Sequence, residues 1–349
     1  MKIFFFSLFI IVLLWFAQFY FNIFLKPSFL SKDLVVINSE QVSDTNTLNE
    51  IKKIPYGRWI WVWSISNKNK IWNKPSWQLL YDQQKHQDIL LQFLIQQKIT
   101  KVFLYVGAIQ REDEKYFSKG KFYNEDWLYN LLKIMHENNI KPYALYYIND
   151  DVNNIQDYKK VWNLVNTVLK WNITYPDATF IWIQNDQEVN NTSIYNDYLN
   201  MLSYINEITK NTSLIHSIAA KPIWINQSIN TENFLLQISK VCDEIFFMDY
   251  SDTERIIKSL WTRVFDLVGI YINIWIETWS INAMNNETFF EEIQKNWISW
   301  FYTNVEDYYE KYFSGYVNFK WLSIHDYNQY FQHVYKIEPY KFDIKNFKY

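Results

Sequence analysis

Asp186 and Glu188 stand two apart in the stretch Gln184-Asn185-Asp186-Gln187-Glu188. On an extended segment, residues two apart project to the same side. Two carboxylates held close cannot both ionise freely. One pKa rises and supplies a proton donor near neutral pH beside a charged stabiliser. The same spacing also suits a structural role, with Asp186 capping the next helix and Glu188 in a solvated loop. Three further clusters carry comparable chemistry. Met248-Asp249-Tyr250-Ser251-Asp252 offers the Tyr250 hydroxyl and a carboxylate from Asp249 or Asp252, although Asp252 also fits a helix cap. Glu277 is a lone carboxylate at the end of the apolar run Val268–Ile276, and it is either a site residue or the partner of Arg58 or a lysine. Ile324-His325-Asp326-Tyr327 offers an imidazole, a carboxylate and a phenol, as substrate contacts or as hydrogen-bonded barrel residues. Arg111-Glu112-Asp113-Glu114-Lys115 reads as a solvated loop.

These clusters need a scaffold that brings distant segments to one place. From Arg58 onward, apolar runs alternate with helical patterns. The runs are Trp59–Ile65, Lys101–Gly107, Lys141–Ile148, Thr179–Ile183, Leu214–Ala219, Glu244–Met248, Val268–Ile276 and Phe319–Ile324. They are rich in β-branched and aromatic residues and mostly apolar on both faces, the pattern of buried parallel strands. Between them, Asp88–Gln97 repeats apolar residues at helical spacing, and Asn124–Asn138 places Leu128, Leu131, Leu132 and Met135 on one stripe behind Asn124 as N-cap. Ser251-Asp252-Thr253-Glu254 fits a capping box opening Arg255–Phe265, and Phe289–Asn296 is a further helical stretch. Eight such strands with helical crossovers predict an α/β fold, a (β/α)8 TIM barrel over residues 57–335. An open doubly wound sheet would carry a glycine-rich phosphate turn after its first strand, and none is written here. In a barrel the active site lies at the C-terminal ends of the strands. All four polar clusters follow strands, so together they predict an acidic, aromatic-lined cleft for a neutral polar ligand such as a glycan.

The chain of 349 residues is 49% apolar and 20% charged, a globular balance, and its net charge of −3 gives no basic field for nucleic acid. Its single cysteine, Cys242, excludes an intrachain disulfide and reads as a buried thiol. His86, His136, His216, His325 and His333 show no zinc-site spacing, so neither a metal nor a cofactor is implied. Ile3–Leu25 holds no charge. As a helix it spans about 34 Å, enough to cross a bilayer core. Residues 20–25 are bulky and offer no signal-cleavage site, so residues 1–26 read as an uncleaved signal anchor, a transmembrane helix, with a cleaved signal and a secreted protein as the alternative. Lys2 before the span predicts a cytoplasmic N-terminus and an extracytoplasmic barrel. Residues 27–56 are polar and read as a tether, and residues 336–349 as a C-terminal tail.

One feature of the composition is anomalous. There are five glycines and 17 tryptophans, whereas average usage would give about 24 glycines. Lys295-Asn296-Trp297-Ile298 puts Trp where a helix C-cap calls for glycine. Trp182, Trp275, Trp279 and Trp300 stand in similar places. The expectation is that many of these codons are UGA, read as glycine in the cell; UGG codons at Trp182, Trp275, Trp279, Trp297 and Trp300 would sink it. The alternative is an aromatic-rich core.

The order of the motifs resembles an uncharacterised family of bacterial glycoside-hydrolase-like barrels. Those carry Gly-x-x-x-D-x-E on strand four, M-D-Y-x-D-T on strand six, G-x-E-T-G on strand seven and I-H-D/H-Y on strand eight. Here the segments are Trp182–Glu188, Met248–Thr253, Trp275–Trp279 and Ile324–Tyr327, with Trp182, Trp275 and Trp279 where the pattern has glycine. The likeness covers roughly residues 57–335. More distantly, strands four and six are similar to chitinase-type glycosidases with D-G-x-D-x-D-x-E and M-x-Y-D. That likeness implies an extracytoplasmic glycosidase acting on a poly- or oligosaccharide, with Glu188 as general acid, Asp186 as its orienting neighbour and Tyr250 as a substrate contact. Asp249, His325, Asp326 and Tyr327 would also meet substrate. A second likeness, to retaining barrels with glutamates after strands four and seven, would make Glu277 the nucleophile. Ile181 and Gln184 replace the first two aspartates of the chitinase pattern. That departure also admits a non-catalytic glycan-binding barrel or an anchored interaction module.

Overall fold

The computed structural model describes residues 58–66, 70–71, 74–75, 77–108, 114–147, 158–187, 189, 191–229, 231–249, 264–266, 268–278, 311–313, 315–316 and 318–347. All lie in one unit running from Tyr56 to Tyr349. The expected membrane segment, the tether and the helices Arg255–Phe265 and Phe289–Asn296 fall wholly or largely outside them. Among the described residues no helix is long and apolar enough to cross a membrane.

Eight parallel strands close into a barrel: β1 (Arg58–Val62), β2 (Ile99–Ala108), β3 (Lys141–Tyr147), β4 (Trp182–Asn185), β5 (Ile215–Ala220), β6 (Glu244–Asp249), β7 (Tyr271–Glu277) and β8 (Phe319–His325). Each pairs with its neighbours in sequence, and β1 pairs with both β2 and β8 to close the ring. Every expected strand is present. One shift is at β4, which begins at Trp182 and not at Thr179. The residues before it are bonded elsewhere. His136 Nε2 meets the Thr179 carbonyl at 2.7 Å. The Asn172 side chain accepts from Phe180 N–H at 2.8 Å and donates to its carbonyl at 2.6 Å. β2 carries a bulge between Tyr105 and Gly107, and Gly107 has φ 138°, a conformation that suits glycine alone.

Helices cover the outside. They include α1 (Gln84–Gln96), α2 (Glu125–Glu137), α3 (Tyr158–Thr174), α4 (Tyr195–Thr209), α5 (Phe234–Ile238) and α6 (Tyr327–Tyr335). α2 buries Leu128, Leu131, Leu132 and Met135, the stripe read from sequence. Asn124 does precede it, but in a left-handed conformation with no capping bond; its side chain donates to the Tyr81 carbonyl at 2.7 Å. Asn139 after α2 has φ 58°, a left-handed exit from the helix. The segment expected as a tail packs back on the barrel. Phe342 and Phe347 are buried, with Phe342 against Phe331 and both rings against Tyr335.

The barrel interior is filled by rings. Trp59, Phe103, Tyr143 and Phe246 form one cluster with centroids 4.2 to 6.4 Å apart. Trp182 stacks on Tyr143 at 4.3 Å, and Trp61 stacks on Trp275 at 4.0 Å. Branched aliphatic side chains are the usual filling of such barrels. No described tryptophan has a positive φ; the described non-glycine residues that do are Lys98, Asn124, Asn139, Thr231 and Lys336. The left-handed backbone argument for glycine therefore finds no support at Trp182 or Trp275, whereas Trp279, Trp297 and Trp300 lie outside the described residues.

Candidate active site

Four of the expected site residues have described side chains: Asp186, His325, Asp326 and Tyr327. β6 and β7 carry the backbones of Asp249 and Glu277 to the same end of the barrel. Glu188 and Tyr250 lie outside the described residues.

Asp186 is the first residue past β4. Its N–H donates to the Tyr146 carbonyl at 3.1 Å, which extends the pairing with β3 by one residue. It is 6% exposed. The cap of the following helical turn is Asn191, whose side chain accepts from Ser193 N–H, so Asp186 is not spent as a helix cap. Its carboxylate lies close enough to Tyr198 of α4 to help raise that phenol's pKa, burial being the larger cause. Two residues back, Gln184 is fully buried and accepts a hydrogen bond from the Ser217 hydroxyl of β5. Just beyond, the Val189 carbonyl accepts from the Trp224 indole N–H at 2.9 Å. Trp224 is itself buried in the short turn Pro222–Asn226 after β5, packed against Tyr198 and Phe234. The segment that contains Glu188 is thus held on both flanks.

β7 and β8 are tied at their ends. Glu277 registers with His325. The His325 carbonyl accepts from both the backbone N–H of Thr278 at 2.8 Å and its hydroxyl at 2.6 Å. His333 Nε2 meets the Thr278 carbonyl at 3.1 Å. Burial lowers the His333 pKa, so the ring is neutral and donates there through Nε2. The His325 ring lies 4.5 Å from that of Trp275 and is 9% exposed.

Asp326 and Tyr327 do not join this group. The Asp326 side chain accepts from Gln329 N–H at 3.0 Å, the N-cap bond of α6. Tyr327 is fully buried, its ring against Phe93 and Phe331. Two sides of the mouth therefore carry polar candidates, the β4 end and the β6 to β8 ends. On the β1 and β2 side, Trp63 and Tyr105 are 5.2 Å apart and Trp77 meets Tyr105 edge-on at 5.6 Å, an aromatic margin. Sequence reasoning missed Gln184, Ser217, Trp224, Thr278 and His333. Cys242 is buried, with its thiol pKa raised by burial, as its sequence context implied. Among the described residues no three His, Cys, Asp or Glu side chains gather in a way that could hold a metal ion.

No family model matches the chain, and no curated protein matches it in sequence. Solved structures do. A chitinase from Bacteroides thetaiotaomicron matches with a TM-score of 0.51 at 8% identity, over 78% of this chain and 90% of that one. The spore cortex-lytic enzyme SleL of Bacillus megaterium matches at 0.48 and 10% identity, over 78% and 71%. SleL of Bacillus cereus matches at 0.41 and 12% identity, over 59% of this chain and 51% of its own, so this chain spans about half of it. The fold is thus similar to that of chitinase-type (β/α)8 barrels.

Proposed function

We propose that the protein is a glycoside hydrolase of poly- or oligosaccharides, held at a membrane by Ile3–Leu25 with its barrel outside the cytoplasm. One observation carries the reading. Asp186, nearly buried and not engaged as a helix cap, sits at the C-terminal mouth of a closed parallel barrel, at the same end as the paired Glu277 and His325. That end is where such barrels build active sites. The likeness of fold to a chitinase supports the class of substrate.

In this reading Glu188 protonates the leaving glycosidic oxygen. Asp186, two residues earlier, raises and orients it. Glu277 is the nucleophile of a retaining reaction, which requires its carboxyl group about 5–5.5 Å from that of Glu188, or else a clamp on the substrate. Asp249, Tyr250 and His325 contact the sugar. Thr278 and Trp224 act through the backbone, by fixing the strand end that carries His325 and the segment that carries Glu188.

The test is hydrolysis of a broad glycan panel beside Glu188→Gln. Turnover that falls by orders of magnitude in the variant supports Glu188 as the acid. Equal turnover in both removes it from the mechanism. A second reading, a barrel that binds glycan without cutting it, is favoured by Gln184. This uncharged residue stands where the chitinase pattern has an aspartate, and it is committed to Ser217. Retained binding with no turnover on any substrate would establish that reading.

A further inference from the structure

The tightest ring pair inside the barrel mouth lies directly beside the candidate site. Trp61 of β1 and Trp275 of β7 stack with centroids 4.0 Å apart and planes 15° from parallel. Neither is exposed by more than 1%. Trp61 is fixed from behind: its indole N–H donates to Ser323 Oγ, and its ring also stacks on Phe103 at 4.6 Å. Trp275 has a different kind of neighbourhood. Its ring touches His325, and its position in β7 is two residues before Glu277. The Trp275 indole therefore fills a flat slot with an immobilised aromatic floor and a polar ring at its side, two residues before Glu277 in the same strand.

A pyranose ring has the same needs as that indole. It presents one flat apolar C–H face for an aromatic surface to cover, and a polar edge that must find partners once desolvated. Parallel contact at about 4 Å is also the spacing at which carbon atoms meet at van der Waals distance. Position 275 is one of those where the resembling family has glycine and where this sequence has tryptophan. A glycine there removes the whole indole and leaves a void of its shape over Trp61. Protein interiors do not leave such voids without consequence.

We propose that the face of Trp61 covered by residue 275 is a saccharide-stacking floor, and that residue 275 is its gate. Tryptophan closes the slot by occupying it; glycine opens it to one sugar ring of the substrate. This rests on the glycosidase reading only for the class of ligand.

The experiment uses the full chain in detergent with four substitutions: Trp275→Gly, Trp275→Ala, Trp61→Ala, and Trp61→Ala combined with Trp275→Gly. N-acetylchitotetraose and cellotetraose are the probes, with binding read by calorimetry and folding by circular dichroism. Trp275→Gly should bind at least one probe tenfold or more tighter than the parent chain. Free indole should compete with that probe and raise the melting temperature of Trp275→Gly but not that of the parent. Adding Trp61→Ala should return binding to the parent level. A folded Trp275→Gly with parental affinity overturns the proposal, as does a gain that survives loss of Trp61. Should Trp275→Gly fail to fold, Trp275→Ala is read in its place. Collapse of both without rescue by indole assigns Trp275 to the core alone and also overturns it. Tighter binding without hydrolysis, unchanged by Glu188→Gln, would end the glycosidase reading and keep the slot. Hydrolysis indifferent to residue 275 would do the reverse.

Discussion

At the scale of single residues, the end of β8 separates what a motif suggests from what a side chain does. Ile324-His325-Asp326-Tyr327 offers three polar groups, and only His325 remains beside the mouth. Asp326 is occupied by the Gln329 N–H and its carbonyl by Tyr330 N–H, so its measurable role is to cap α6. Asp326→Ala should cost about 1 kcal/mol in urea unfolding, whereas Asp326→Asn, which keeps an acceptor, should cost little. Turnover on a saccharide should be the same in Asp326→Asn as in the parent. Lost turnover at intact stability would return Asp326 to the substrate. Tyr327 gives the opposite sign. Its hydroxyl is buried with no hydrogen-bond partner among the described residues. An unpaired buried hydroxyl costs free energy, so Tyr327→Phe should be as stable as the parent or more so. A clear loss of stability would mean that the hydroxyl has a partner that matters.

At the scale of elements, the strands were legible and their interior was not. Periodicity and residue type located all eight strands, because each is short, β-branched or aromatic, and bounded by polar residues. They misplaced the start of β4 because Phe180 looks like any strand residue until Asn172 of α3 takes both its backbone groups. The same limit governs the site. Asp186 and Glu277 were visible from where they follow strands. Thr278, Trp224 and Ser217 were not, since their partners lie 47, 35 and 33 residues away. The opposite end of the barrel shows another unread pairing. Lys101 of β2 puts its ammonium 3.5 Å over the Trp59 ring and 4.9 Å over that of Trp182. Burial lowers its pKa, and the Glu244 carboxylate of β6 works against that shift. Burial raises Glu244 in turn, with Lys101 opposing. Each charge makes the other tolerable. Lys101→Met alone should destabilise by about 3 kcal/mol, because it strips a buried carboxyl of its main counter-charge. Lys101→Met with Glu244→Leu should recover most of that loss. Additive losses, measured by urea unfolding at pH 7, would mean the two are not coupled.

At the scale of the whole molecule, three buried histidines, two of them outside the site, set how the barrel responds to acid. His86 of α1 is 2% exposed, with no hydrogen-bond partner for its ring nitrogens among the described residues, and His216 of β5 is fully buried. Burial pushes both pKa values down to about 4, with Lys85 adding to the effect at His86 and a backbone bond at Val241 opposing it at His216. His333 is lowered in the same direction, for the same first reason. The sign follows from the unfolded chain, where each ring titrates near its ordinary 6.5. Between that value and about 4 the unfolded state binds protons that the folded state does not, so acidification favours unfolding. Above pH 6.5 the contribution is fully present. One pH unit of displaced titration is worth about 1.4 kcal/mol, so His216 alone removes about 3 kcal/mol by pH 4. Asp243 accepts the His216 backbone N–H, and burial raises both its pKa and that of Glu244. They take up protons on the folded side and so blunt the loss toward the acidic end of the window. The histidines therefore act with least opposition just below pH 6.5. Unfolding free energy should fall steadily from pH 6.5 to pH 5, and His216→Gln should flatten that slope even though it lowers stability at pH 7. A parent chain equally stable at pH 7 and pH 5 would mean that these rings are reached by water, and that the barrel wall around β5 and α1 opens more readily than its packing implies.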